Sequence, residues 1–385
     1  MPKTGDPAPL TIAHRPADEE ESLWETTVGD LLRDTAARHG DRAALLWPEG
    51  DGLGEMTWRE LLESAERAAG LILGLVSTGD PVAVWSANSA DWVVLEYGAA
   101  LAGTPLVPIN TALTDAEAAY QLRDSGARLL LAPETFRGKA LRERARALTA
   151  DLPAPCPVLG TDAWRSAPRP GDLPSPEPGS PFLIQYTSGT TGTPKGAVLS
   201  HLACVNSGRF GMAALHEPGV HEIYCSPLPL NHVGASVCAV LATASVGGTH
   251  VLAPSFDATT VLRLVERSRA TILGLVPTMM TDILAGPDLR ARDLSSLRVV
   301  CGGGATMPPE LVRRFETELG ARLEIAYGQS ESPYATSTGL SDDLDSLPLT
   351  ASGKIRKHVL RDGLPSPSEP GSPPPAGEGS EQVGG

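Results

Sequence analysis

The sequence predicts an α/β fold of parallel sheets covered by helices, and three observations carry that prediction. Short apolar runs alternate with amphipathic segments along most of the chain, the pattern of buried parallel strands and the helices that cross over them. Two helix starts are written out as capping boxes, Thr57-Trp-Arg-Glu60 and Thr114-Asp-Ala-Glu117, where a hydroxyl and a carboxylate satisfy each other's backbone N–H groups. A stretch dense in Pro, Gly and Ser over residues 151–181 separates two blocks of the alternation and reads as a long connection.

In chain order, residues 1–22 are polar and Pro-rich and predict a loose arm. Helical patterning begins near Thr27, and the first capping box opens a helix running to about Leu75. Pro81–Ser86 predicts a buried strand, 89–102 a helix, Pro105–Pro108 a short strand, the second capping box a helix ending at Gly126, and Arg128–Ala132 another strand. After the connection, strands are predicted near 182–187, 222–226, 248–253, 271–276, 297–301 and 322–326. Helices are predicted near 199–214, 233–245, 257–268, 277–285 and 308–319. No internal repeat is evident. Residues 363–385 are Pro, Ser, Gly and Glu, too poor in apolar side chains to order themselves.

With 385 residues, 41% of them hydrophobic, the chain is long enough for a substantial core. Acidic residues outnumber basic ones 46 to 31, a formal charge of −15, which argues against nucleic acid as a partner. Any phosphate site must supply its own local positive potential. The five cysteines, Cys156, Cys204, Cys225, Cys238 and Cys301, form no CxxC pair and read as core thiols of a reducing, cytoplasmic compartment. The first residues lack the apolar core of a secretory signal. Val233–Thr249 carries no charge, but Gly247-Gly248 interrupts it. It predicts a buried helix, a turn and a strand rather than a membrane span.

The most specific segment is Tyr186-Thr-Ser-Gly-Thr-Thr-Gly-Thr-Pro-Lys-Gly196, following an apolar strand and, on this reading, preceding a helix. Gly189, Gly192 and Gly196 allow close backbone approach to a ligand. Thr187, Ser188, Thr190 and Thr191 offer hydroxyls, and Lys195 a point charge, for phosphate oxygens. A plain Gly/Thr turn is the competing reading on composition alone. Pro194 and Gly196 around Lys195 exclude a Walker A loop.

Three further segments follow: Pro227-Leu-Pro-Leu-Asn-His-Val-Gly234, Val299-Val-Cys-Gly-Gly-Gly-Ala305 and Tyr327-Gly-Gln-Ser-Glu331. Near the end stands Leu347-Pro-Leu-Thr-Ala-Ser-Gly-Lys-Ile-Arg-Lys357. The glycines of 302–304 lack the third glycine of a dinucleotide fingerprint, since Met307 occupies that place. No GxSxG, HExxH or paired zinc motif is present.

In this order the motifs resemble those of the AMP-forming adenylating superfamily, which includes acyl-CoA synthetases, luciferases and peptide-synthetase adenylation domains. The resemblance covers nearly the whole chain and is closest in character to bacterial fatty-acid–CoA ligases. It implies the large N-terminal domain of those enzymes, with 23–343 as that domain in truncated form and two α/β subdomains. It implies that residues 186–196 wrap the ATP phosphates and that Gly303, Gly304 and Ala305 lie along the adenine. Tyr327 would stack on the base, Gly328 and Ser330 would meet the nucleotide, and Glu331 would help to hold Mg²⁺. His232 would line and gate an acyl pocket, together with small residues such as Gly234, Ala235, Val237 and Ala305. Lys354 would reach the acyl carboxylate and the α-phosphate. The substrates implied are ATP, a carboxylic acid, preferably a fatty acid, and CoA.

The chain departs from the pattern in one respect. Glu331 and Lys354 are only 23 positions apart, where the superfamily has a long segment with an aspartate for the ribose, a hinge and most of a small mobile domain. The sequence thus predicts an internal deletion, with 344–362 as the remnant of the C-terminal domain. Extended chain at ~3.3–3.6 Å per residue would still let Lys354 reach roughly 76–83 Å, but no domain remains to orient it. A lost hydrogen bond to a charged group costs about 1.5–3 kcal/mol. Two function classes follow: an AMP-forming ligase, serving CoA or a carrier protein, and a catalytically impaired remnant that binds nucleotide or acyl chains.

Overall fold

The computed structural model describes residues 22–187 and 194–337. The chain divides into two units, one of Leu23–Leu344 and one of Met1–Ser22 with Asp345–Gly385, of which only Ser22 is described. The predicted arm, the 344–362 remnant and the tail lie outside the described residues.

Helix α1 (Val28–His39) is capped by the Thr27 hydroxyl, which accepts from the Asp30 N–H. The chain then forms a hairpin of β1 (Ala43–Glu49) and β2 (Gly52–Thr57). Both predicted capping boxes are present with reciprocal bonds, at α2 (Trp58–Leu73) and again further on. Strand β3 (Val82–Trp85), helix α3 (Ala90–Ala102), strand β4 (Leu106–Ile109), capped helix α4 (Asp115–Asp124) and strand β5 (Leu129–Leu131) follow. The short pair β6 (Thr135–Phe136) and β7 (Lys139–Ala140), helix α5 (Leu141–Thr149) and strand β8 (Val158–Leu159) complete this part.

Strand β9 (Pro181–Thr187) leads to β10 (Lys195–Ser200) and helix α6 (His201–Leu215). Next come β11 (Ile223–Ser226), α7 (Val233–Ala235), a π-helical turn over Ser236–Leu241, α8 (Ala242–Ser245) and β12 (Thr249–Leu252). Helix α9 (Ala258–Ser268), β13 (Ile272–Leu275), α10 (Pro277–Ala285), β14 (Val299–Gly303), α11 (Pro309–Leu319), β15 (Arg322–Gln329) and β16 (Ser332–Ser337) close the described fold.

Two helix-covered sheets result. A six-stranded sheet has the order β10-β9-β4-β3-β5-β8, and an eight-stranded sheet the order β16-β15-β14-β13-β11-β12-β1-β2. Every pairing inside the six-stranded sheet is parallel except β9 with β10. In the larger sheet only the edge strands β2 and β16 run antiparallel. The central strands β3, β4, β5, β12 and β13 are buried throughout, as expected for parallel strands covered on both faces. The largest core cluster joins α1, α2 and α3 to the π-helical segment, through Leu32, Leu61, Val94 and Leu241 among others. Each such side chain contributes about 1.5–3 kcal/mol by leaving water.

One expectation is corrected. The segment 186–196 does not run from strand to helix: Lys195–Ser200 forms β10, antiparallel to β9, with Lys195 opposite Thr187. The helix starts only at His201, capped by Ser200. Residues 43–57 form a hairpin that the sequence left unassigned, because Pro48 interrupts the apolar run. Pro48 is tolerated because β1 pairs with β12 only at Leu45 and Leu46. The helix expected over 233–245 is present and includes the π-helical turn, where α6 comes so close that a Cβ on Gly208 would lie 2.9 Å from Val237 O. Within the connection over 151–181, β8 joins the sheet edge beside β5. The uncharged run 233–249 is this helix, a turn and a buried strand, and no helix among the described residues is long and apolar enough to cross a membrane.

Candidate active site

Parallel strands present their carboxyl ends to one side of a sheet, and ligands collect in the crevice there. On the large sheet those ends are Leu275-Val276 after β13, Gly303-Gly304 after β14 and Ala326–Gln329 of β15. All of them except Tyr327 line one cavity of about 320 Å³. Gly304 adopts φ +78°, a left-handed turn that glycine takes without strain and that directs the chain out of β14.

Tyr327, Gly328 and Gln329 end β15, and Ser330 and Glu331 form the tight turn into β16. The Tyr327 ring is 62% exposed, a large apolar face open for stacking. Gly328 is required by its neighbour: a Cβ there would lie 2.0 Å from Pro333 O on the returning strand. Glu331 is exposed on the turn beside Ser330. Among the described residues no group of three His, Cys, Asp or Glu could hold a metal. A carboxylate beside a hydroxyl nonetheless suits Mg²⁺, which takes one or two protein carboxylates and completes its shell with water and substrate phosphates.

His232 reaches the same cavity from the other side. Its Nδ1 accepts from the Gly234 N–H at 3.0 Å, which leaves Nε2 as the protonated nitrogen of a neutral ring. Burial lowers its pKa and favours that neutral form. The segment carrying His232 is fixed by two amides. Asn88 donates to Leu228 O at 2.8 Å and to Ala253 O at 3.0 Å, and accepts from Leu230 N at 2.8 Å. Gln185 on β9 donates to Asn231 O at 3.1 Å, and so ties the strand before the Gly/Thr segment to the His232 loop.

Both stems of that segment are held by α4. Tyr186 OH donates to Asp124 Oδ2, Tyr120 OH donates to Pro194 O at 3.0 Å, and the two tyrosine rings meet edge to face. Thr187 ends β9 half-buried, and Lys195 opens β10 exposed. Ser188, Gly189, Thr190, Thr191 and Gly192 lie outside the described residues, as does Lys354.

The fold therefore brings His232, Gly303, Gly304 and Gly328 to one cavity. It places Tyr327, Ser330 and Glu331 on the adjoining strand end and turn, and exposes Ala305 just beyond Gly304. The expected small lining is corrected in part. Gly234 lines the cavity, but Ala235 and Val237 are turned into the core and Ala305 is not among the lining residues. Their places are taken by Gly211, Leu215, Tyr224, Cys238, Cys301 and Tyr334. Cys301 stands in the Val299–Ala305 motif, but the motifs did not point to Gly211, Leu215, Tyr224 or Tyr334, nor to Asn88, Tyr120 or Asp124. Their partners lie far off in sequence, and only the proximity of Tyr334 to the Tyr327–Glu331 motif was a signal.

The described residues thus combine two helix-covered sheets, a Gly turn at a strand end and an exposed tyrosine before a Ser-Glu turn. The chain belongs to the AMP-binding enzyme family, which matches residues 32–359. It is 30% identical over 380 residues to the human mitochondrial medium-chain acyl-CoA ligase ACSF2, covering 88% of this chain and 61% of that protein. It is similar to the inhibitor-bound N-terminal domain of FACL13 from Mycobacterium tuberculosis, with a TM-score of 0.73, 29% identity and coverage of 86% and 82% of the two chains. It is also similar to ATP-bound MatB from Rhodopseudomonas palustris, with a TM-score of 0.72, 26% identity and coverage of 83% and 63%. The chain spans less than two thirds of the length of the human relative.

Proposed function

We propose that this chain activates an aliphatic carboxylic acid with ATP to form an acyl-adenylate, and passes the acyl group to the thiol of CoA. The observation that carries the reading is the cavity at the strand ends. Leu215, Leu228, Leu275 and Val276 give it an apolar lining, beside Gly303, Gly304 and Gly328, which stand in segments that resemble the family's nucleotide motifs. An acid seated there presents its carboxylate where the motifs would hold the α-phosphate.

Attack of a carboxylate oxygen on the α-phosphorus forms the mixed anhydride and releases pyrophosphate. The step brings two anions together, so catalysis is positioning and charge stabilisation. Residues 186–196 would wrap the phosphates, with Lys195 adding its ammonium, while Tyr327 stacks on the adenine. Glu331, beside Ser330, would hold Mg²⁺, which when bound neutralises the pyrophosphate. Lys354 would offset charge at the acyl carboxylate and α-phosphate. His232, neutral and anchored through Nδ1, keeps its other face toward the acid. The CoA thiol then attacks the acyl carbon and AMP leaves. A carrier-protein thiol is an equivalent acceptor.

A second reading is favoured by one observation, the 23 positions between Glu331 and Lys354. In it the chain binds nucleotide and acid but does not complete turnover. Purified full-length chain with ATP, Mg²⁺ and a panel of fatty acids separates the two. Acid-dependent AMP and pyrophosphate release that is lost in Lys354→Ala supports the ligase. ATP binding with no release supports the second reading.

A further inference from the structure

The cavity is bounded on one side by a residue that no motif singles out. Tyr334 lies on β16, and its hydroxyl donates to Glu324 Oε1 at 2.8 Å and sits 2.6 Å from Ser337 Oγ. Glu324 is fully buried on β15, in register with Cys301 on β14, which is in turn in register with Gly274 on β13. These positions share one face of the sheet. Across them lies the ring of Tyr224, so close that a Cβ on Gly274 would come within 2.9 Å of it. Tyr224, Cys301 and Tyr334 all line the cavity.

On the opposite side α6 supplies Gly211. A Cβ there would lie 3.2 Å from the Tyr334 ring, so helix and ring already meet at van der Waals distance. Tyr334 cannot rotate aside without leaving the buried Glu324 carboxyl short of a hydrogen-bond donor, which is costly in a low-dielectric interior.

We propose that Tyr334, braced by Glu324 and seated against Gly211, is the side chain that limits acyl-chain length and width in this cavity. This inference rests on the acid-activation reading of the same cavity.

The test is calorimetric binding of saturated acids from four to sixteen carbons to the full chain with ATP and Mg²⁺ present. Wild type is compared with Tyr334→Ala, Tyr334→Phe and Gly211→Val. Tyr334→Ala moves the optimum to longer acids, with about a fourfold gain per additional methylene buried. Tyr334→Phe, which keeps the ring, moves it less, and Gly211→Val moves it to shorter acids. Acids that bind with the same optimum in wild type, Tyr334→Ala and Gly211→Val overturn the proposal while leaving acid activation standing. If ATP binds but no acid of any length does, the acid-activation reading fails and this proposal with it.

Discussion

The Tyr186 hydroxyl donates to Asp124 Oδ2 at 2.7 Å across 62 positions of chain, so the strand entering the Gly/Thr segment is pinned to α4. Tyr120, one turn earlier on α4, holds the exit of the segment through Pro194 O. A loop that must meet a triphosphate gains when its two ends are fixed before the ligand arrives.

Asp124→Ala is therefore expected to weaken ATP binding several-fold. Loss of one such hydrogen bond amounts to about 1 kcal/mol, and the melting temperature should change little. Titration calorimetry with ATP and a thermal melt check both. A large fall in melting temperature with unaltered ATP affinity would show that the contact only supports the fold.

Lys195→Ala separates binding from folding more sharply. Lys195 is exposed at the start of β10, so its removal should leave stability within about 0.5 kcal/mol. A lost charge-assisted hydrogen bond to phosphate costs about 1.5–3 kcal/mol, or about 10- to 150-fold in ATP affinity. ATP affinity equal to wild type would remove Lys195 from the phosphate site.

Gly328→Ala should fail for a steric reason. The new Cβ would meet Pro333 O at 2.0 Å, so β15 and β16 must part. Overpacking of this kind costs about 1–3 kcal/mol. Because Gly328 also lines the cavity, nucleotide binding should fall with stability. Urea denaturation and an AMP titration on one sample test the link, which an unchanged denaturation midpoint would break.

Glu96 gives a pH signature of one sign. It is fully buried on α3, neither carboxyl oxygen has a hydrogen-bond partner among the described residues, and burial raises its pKa well above 4.5. The folded state holds this proton while the unfolded chain releases it, so the contribution of Glu96 to stability falls as pH rises above 4.5. Glu96→Gln should therefore be more stable than wild type at neutral pH, and the difference should close as pH falls below 4.5. A pH series of chemical denaturation reads it directly, and a difference constant with pH would refute the account.

His201 gives the opposite sign. Burial lowers its pKa to about 4, and its Nδ1 accepts from the Val28 N–H at 3.3 Å, which requires the neutral ring. The unfolded chain binds the proton first, so the stability it confers is complete above pH 6.5 and is lost as pH falls from 6.5 toward 4. In the same denaturation series His201→Gln should be less stable at neutral pH and show a shallower loss over that window. An equal slope in variant and wild type would assign the acid lability elsewhere.

Part of the cavity lining was legible in the sequence. His232, Gly303, Gly304 and Gly328 stand in motifs whose chemistry is local, and the cavity gathers them. The segment around Lys195 was misplaced, between a strand and a helix, because a short polar-flanked run such as Lys195–Ser200 carries too weak a periodicity to be read as a strand. Its identity is settled by pairing with β9, which no local pattern encodes.

What the sequence determined by itself is most of the elements and the family. Capping boxes, apolar strands and the order of motifs depend on neighbours a few residues apart. What tertiary structure decided is which side chains face the cavity. The π-helical turn rotates Ala235 and Val237 into the core while Gly234 and Cys238 stay at the wall. Tyr334 meets Gly211 across more than a hundred positions of chain. Contacts of that span arise only when both layers pack and water leaves between them, so they are a property of the assembled fold rather than of any segment.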